Sequence, residues 1–147
     1  MAHTYPNVVI HCVFSTKLRR NSIPDDLREK LARYFVGIGN SHDFRVLCAG
    51  GTANHAHLLI VLPATLTLAK AVQALKANSS RWLGEHGFDF AGQEGYGAFS
   101  VSASNVEAVR NYIEHQPEHH ARRSFEDEFV SFLRKSGVKY DPEFVFG

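Results

Sequence analysis

The chain has 147 residues, of which 44% are hydrophobic and 21% charged, with a formal net charge of +1. Such a chain suits one compact domain and is too apolar for a disordered one; with charge nearly balanced, any nucleic-acid surface must be local. It has no apolar run near the ~20 residues that cross a bilayer and no leader-like start, so a cytoplasmic protein is expected, with Cys12 and Cys48 as reduced core residues lacking metal-site spacing.

In chain order, "NVVIHCVFST" (7–16) reads as a strand with Val8, Ile10, Cys12 and Phe14 on one face and Val9, His11 and Val13 on the other. "SIPDDLREKLARYFVGIGNSH" follows as a helix: Pro24, Asp25 and Asp26 suit its first turn, Leu27, Leu31, Phe35 and Ile38 recur at helical spacing, and Gly39 and Asn40 suit its stop. "DFRVLCAG" and "HAHLLIVLP" form two strands joined by a short Gly-containing turn. A second helix is expected from about Thr67 to Glu85, with Leu68, Val72, Leu75, Ser79 and Trp82 along its buried side. "GYGAFSVSA" supplies the fourth strand, and Ser104 with Glu107 has capping-box spacing before the helix in "NVEAVRNYIEHQ". Ser124 to Lys135 makes a fourth helix closed by Gly137, and the aromatic tail "VKYDPEFVFG" is expected to pack back onto the body.

The order β-α-β-β-α-β is the split, ferredoxin-like α+β arrangement. It predicts a four-stranded antiparallel sheet with strands one and three at its centre, two helices on one face, and the third helix on the other. The whole of 1–147 reads as a single domain, with a core over about 7–118 and a C-terminal helix and tail over 122–147.

Within "GGTANHAHLLIVLP", His55 and His57 are two residues apart on a strand, so both project from one face. Ala56, Leu58, Ile60 and Leu62 face the other way, and His11 shares the histidine side of its own strand. Two such imidazoles are either hydrogen-bonded structural groups or half of an open metal site completed by oxygen ligands; the cysteine-rich pattern of a closed structural zinc site is missing. In the third helix Tyr112 and Gln116 are four apart and share one face, offering a phenol and a carbonyl oxygen. His115, His119 and His120 crowd that helix end, where Pro117 should terminate or kink it, and read as surface residues.

At these residues the chain resembles the single-tyrosine HUH (His, hydrophobe, His) transposases of small bacterial insertion sequences and their REP-associated relatives. "HCVFSTKLRR", "NHAHLLIVLP", "LKANSSRWL" and "AVRNYIEHQ" look like the family's blocks in the family's order. The resemblance implies a transposase that cleaves and rejoins single-stranded DNA, with hairpin ends as a candidate substrate, through a covalent 5′-phosphotyrosine. By position it implies Tyr112 as nucleophile and His55, His57 and Gln116 as ligands of Mg²⁺ or Mn²⁺. It further implies DNA contacts from Lys17, Arg19 and Arg20 after the first strand and from Lys76, Asn78 and Arg81 on the second helix, and a homodimer with Tyr112 supplied in trans. Two positions depart from the family: Asn54 stands where an acidic residue is common, removing a charge beside the metal, and Ala56 is smaller than the usual central residue. The alternatives are a non-catalytic single-stranded nucleic-acid-binding protein and a metal-dependent phosphodiesterase that uses water.

Overall fold

The structure, a computed structural model, describes residues 3–16, 23–87, 95–116, 124–143 and 145. Its elements are β1 (Val9–Ser15), α1 (Asp25–Ser41), β2 (Arg45–Gly51), β3 (His55–Val61), α2 (Leu68–Glu85), β4 (Gly97–Val101), α3 (Val106–Glu114) and α4 (Phe125–Lys135). The four strands form one antiparallel sheet in the order β2-β3-β1-β4, so β1 and β3 occupy its centre as the α+β expectation requires.

The pleat sorts the core. From the even-numbered face, Cys12, Phe14, Ala56, Leu58 and Ile60 pack against Leu27, Leu31, Phe35 and Ile38 of α1 and Ala71, Val72, Leu75 and Leu83 of α2. The opposite face carries two smaller clusters. Val9, Cys48 and Leu59 pack with Ile113 of α3, while Val13 and Phe99 pack with Phe125 and Leu133 of α4. β3 is therefore covered on both sides, and Leu58, Leu59 and Ile60 are fully buried. Each contributes about 1.5–3 kcal/mol of transfer free energy, which accounts for an apolar run where a half-exposed strand would alternate. The chain's tail packs back as expected, Tyr140 and Val145 meeting the α4 cluster.

Several local details differ from the sequence reading. α1 continues through Gly39 to Ser41, and the turn is made at Asp43, which has φ 62°. Gly39 serves a close approach instead: a methyl there would press on the Phe44 carbonyl where the chain folds back. Ser104 and Glu107 make no capping box. Ala103–Asn105 form a single 3₁₀ turn, Ser104 Oγ bonds Ser102 Oγ at 3.2 Å, and α3 begins without a side-chain cap. On α2 the buried stripe ends at Leu83, while Leu68 and Trp82 are half-buried on its flank. Trp82 stacks on Tyr34 at 5.2 Å between centroids. Thr67 and Ser124 do cap α2 and α4, each side chain accepting a backbone N–H from the residue three ahead, an interaction that stabilises a helix by ~1 kcal/mol. Among the described residues no helix is long and apolar enough to cross a membrane.

Two contacts dock α3, the tyrosine-bearing helix, on the β2 side of the sheet. Arg110 donates to the Leu47 carbonyl at 2.8 Å. Gly50 lies directly beneath the Ile113 carbonyl, where even a methyl group would overlap it. Lacking a side chain, Gly50 lets α3 sit down on the strand next to the one that carries the histidines.

Candidate metal and nucleophile site

Pleat, pairing and two helices bring the polar side chains of the odd-numbered face together. In the β1–β3 register Val13 pairs with His57 and Ser15 with His55, which sets His11 diagonally beside His57. α3 and α4 cover this face side by side, and the histidines lie in the seam between their apolar clusters. His11, His55, His57, Gln116 and Glu128 are each at most 2% exposed. A buried polar atom left without a partner costs ~1–3 kcal/mol, so the pairing of each nitrogen is informative.

His55 stacks on Phe125 with 4.6 Å between ring centroids, and its Nδ1 lies 2.8 Å from Asn54 Oδ1 and 3.0 Å from Thr52 Oγ1. An amide oxygen can only accept, so Nδ1 of His55 carries a proton and Nε2 is the nitrogen turned toward the site. Gln116 Oε1 lies 3.2 Å from that Nε2, and Gln116 Nε2 donates to the Tyr112 carbonyl at 3.4 Å, which turns the amide oxygen toward the histidine. His57 Nε2 stands 2.8 Å from Glu128 Oε1, and the same oxygen is 4.0 Å from His55 Nε2. Tyr112 donates its hydroxyl proton to Glu128 Oε2, and its ring stands edge-on to His57 at 6.0 Å. His57 Nδ1 meets His11 Nε2 at 2.7 Å. Burial, reinforced by His57, pushes the pKa of His11 down to about 3, so this ring is neutral.

His55, His57, Gln116 and Tyr112 thus converge, while the candidates on α2 lie elsewhere. Lys17, Arg19 and Arg20 fall outside the described residues. Lys76, Asn78 and Arg81 belong to α2, on the opposite face of the sheet: Lys76 reaches the Gly95 carbonyl at 3.2 Å and lies over the Phe14 ring, and Arg81 bonds the Asn78 side chain. Among the unselected histidines, His115 is exposed and folds back on the Asn111 carbonyl; His119 and His120 are outside the described residues.

Glu128 was missed by sequence reasoning, although α4 carries a signal for it. Its apolar stripe of Phe125, Phe129, Phe132 and Leu133 contains one acidic residue, Glu128, at helical spacing on the covered side. A carboxylate in such a stripe needs a polar partner. Here it has Tyr112 and both histidines.

The donor set fits a divalent cation. Among the described residues, ligand atoms of His55, His57 and Glu128 all lie within 4.8 Å of one another. Donors ~2.1 Å from one octahedral ion stand ~3.0 Å apart when adjacent and ~4.2 Å when opposite. Separations of 2.8, 3.2 and 4.0 Å among His57, Glu128, Gln116 and His55 span that range. Two imidazoles with oxygen donors and no thiolate suit a divalent cation that takes mixed nitrogen and oxygen ligands.

Asn54, the departure beside the first histidine, still orients that ring through its amide oxygen. Asn54→Ala is therefore expected to weaken Mn²⁺ binding by ~10-fold or more, and Asn54→Asp, which keeps the acceptor and adds charge, to strengthen it; calorimetric titration measures both. Equal affinities in all three proteins would refute the orienting role.

The family model described as "Transposase IS200 like" matches residues 4–116. The transposase for insertion sequence element IS200 of Salmonella typhimurium is 29% identical over 126 residues, which cover 80% of this chain and 82% of that protein, and the Salmonella typhi transposase matches equally. Two solved structures share the fold. A Deinococcus radiodurans structure described as a transposase superposes with a TM-score of 0.60 at 20% identity, over 79% of this chain and 96% of that one. A REP-associated tyrosine transposase bound to a REP hairpin superposes with a TM-score of 0.61 at 13% identity, over 100% of this chain and 95% of that one. With a histidine pair on the central strand, a tyrosine on the helix above it, and a family match that runs through both, this chain belongs to the IS200-like transposase family.

Proposed function

We propose that this transposase cleaves and rejoins single-stranded DNA through a covalent bond to Tyr112, assisted by Mg²⁺ or Mn²⁺ held by His55, His57, Glu128 and Gln116. The observation that carries this reading is the hydrogen bond from the Tyr112 hydroxyl to Glu128, whose other oxygen faces the histidine pair. A phenol with a reference pKa near ~10 is protonated at neutral pH, so attack on phosphorus requires somewhere for its proton to go. Glu128 is already aligned to accept it. As the Tyr112 oxygen bonds to phosphorus, the bond to the 3′-oxygen breaks, and that oxygen leaves as a hydroxyl with a proton from solvent. The bound cation would supply Lewis-acid stabilisation of the phosphate's developing charge. The 5′-phosphotyrosine keeps the phosphodiester's free energy, so a 3′-hydroxyl from another strand can reverse the step with no nucleotide cofactor.

For the DNA, the basic candidates Lys17, Arg19, Arg20, Lys76 and Arg81 would track phosphates, with Asn78 adding hydrogen bonds. The hairpin held by the REP-associated neighbour makes a folded single strand the first substrate to test.

The test is to incubate the protein with single-stranded element ends and Mn²⁺ and separate the products under denaturing conditions. A protein–DNA adduct, abolished by chelation, is expected; hydrolysed ends with no adduct would instead identify a water-using phosphodiesterase. One chain by itself brings Tyr112 against its own His57 and Glu128. This favours the tyrosine acting in cis over the trans arrangement that the resemblance implies. Mixing Tyr112→Phe with His57→Ala protein should therefore restore no adduct, whereas recovery in the mixture would establish exchange of Tyr112 between subunits.

A further inference from the structure

The polar face contains one imidazole that the nicking reaction does not use. His11 is 2% exposed, with its ring set edge-on to Phe132 at 5.0 Å and to Phe99 at 6.2 Å. A leucine or phenylalanine would fill such a pocket without the desolvation cost of two ring nitrogens. What the imidazole adds is its contact with a neighbour: His11 Nε2 lies 2.7 Å from His57 Nδ1.

Lone-pair accounting gives that contact a consequence. A neutral imidazole has one N–H and one lone pair. With Nε2–H of His57 directed at the Glu128 carboxylate, as the 2.8 Å separation allows, a neutral His57 can only accept at Nδ1, and His11 must donate from Nε2. Once the Nε2 lone pair of His57 is given to a cation, its proton must sit on Nδ1, and His11 must accept at Nε2. The group facing His57 Nδ1 therefore has to serve at one atom as donor or acceptor. Imidazole does so by changing tautomer, whereas a carboxylate would only accept. His55 is treated differently, since Asn54 holds it in one tautomer throughout.

We infer that His11 is a positioning residue for the cation site: its Nε2 donates a hydrogen bond to His57 Nδ1 while His57 Nε2 is unligated and accepts one from His57 Nδ1–H once Nε2 is a ligand, the His57 Nε2 proton passing to solvent, the His11 Nε2 proton to His57 Nδ1, and His11 Nδ1 taking one from solvent. The inference rests on the metal reading proposed above and extends it to a residue on another strand that contributes no ligand.

The test uses the full-length protein without DNA. Mn²⁺ is titrated calorimetrically into wild type, His11→Phe and His11→Gln. Phenylalanine keeps a ring against Phe99 and Phe132 but has no polar atom, and affinity is expected to fall about 10–100-fold, the usual effect of losing an outer-shell partner. Glutamine reaches the same point with an amide that can turn either way, and most of the lost affinity should return. Metal-free thermal unfolding of His11→Phe should match or exceed wild type, separating lost positioning from lost fold. Two-dimensional ¹H–¹⁵N spectra of the wild-type histidines provide a readout independent of any variant: adding Mg²⁺ should move both His57 and His11 to their Nδ1–H tautomers. Wild-type affinity in His11→Phe, no rescue by His11→Gln, or a His11 ring that stays Nε2–H with Mg²⁺ bound would each overturn the inference while leaving the metal reading standing. A wild-type protein that binds neither Mn²⁺ nor Mg²⁺ would overturn both, and that is seen before any variant is made.

Discussion

Tyr112→Phe should remove the covalent protein–DNA adduct altogether and lower strand joining by at least ~10³-fold, as expected when a nucleophile is deleted and binding alone remains. The loss should be chemical, with no structural cause. The Tyr112 ring is half-buried against Phe132 at 5.8 Å and against His57, and phenylalanine preserves those contacts. Mn²⁺ affinity should change little, because Tyr112 reaches the site through Glu128 and is not counted among the donors. A denaturing gel and a calorimetric titration on the same preparation check both halves. Adduct formation that persists in Tyr112→Phe would transfer the nucleophile's role to another residue.

Glu128→Gln carries the second large effect. This residue lies beyond the family model's match at residues 4–116, 71 positions from His57, yet its two oxygens touch His57 and Tyr112. The substitution keeps the side chain's shape and removes its charge, so two losses are expected together. Mn²⁺ binding should weaken by about 10-fold or more, since a hard cation loses its one carboxylate. At saturating Mn²⁺, adduct formation should remain ~10²-fold or more below wild type, because an amide cannot take up the phenolic proton. Full recovery at high Mn²⁺ would reduce Glu128 to a ligand alone; normal affinity with slow chemistry would reduce it to the proton acceptor alone. Glu128→Ala also empties volume within the packed site, so Gln is the cleaner variant.

These two residues separate what a linear reading can reach from what it cannot. The element order and the common face of His55 and His57 follow from periodicity, and the central placement of β1 and β3 from the split βαβ topology which that order implies. A two-residue repeat assigns faces within a strand, and no distant contact is needed to do so. Tyr112 and Gln116 were placed together by the four-residue helical repeat, although α3 itself ends at Glu114. The capping box at Ser104 and the helix stop at Gly39 went otherwise because each signal was local and chain contacts outweighed it: a 3₁₀ turn formed at the first, and a close return of the chain to Phe44 occupied the second.

The sequence by itself therefore determined the sheet, the faces of its strands and the helix that carries the tyrosine, because each depends on side chains a few residues apart. Only the tertiary structure decided that α4 covers the histidines, that Glu128 joins Tyr112 to them, and that His11 reaches across from a neighbouring strand. Those contacts depend on which helix settles over which strand. That choice is made by the fit of Phe125, Phe129, Phe132 and Leu133 against Val13 and Phe99, surfaces more than 20 residues apart along the chain that exist only once the sheet has formed.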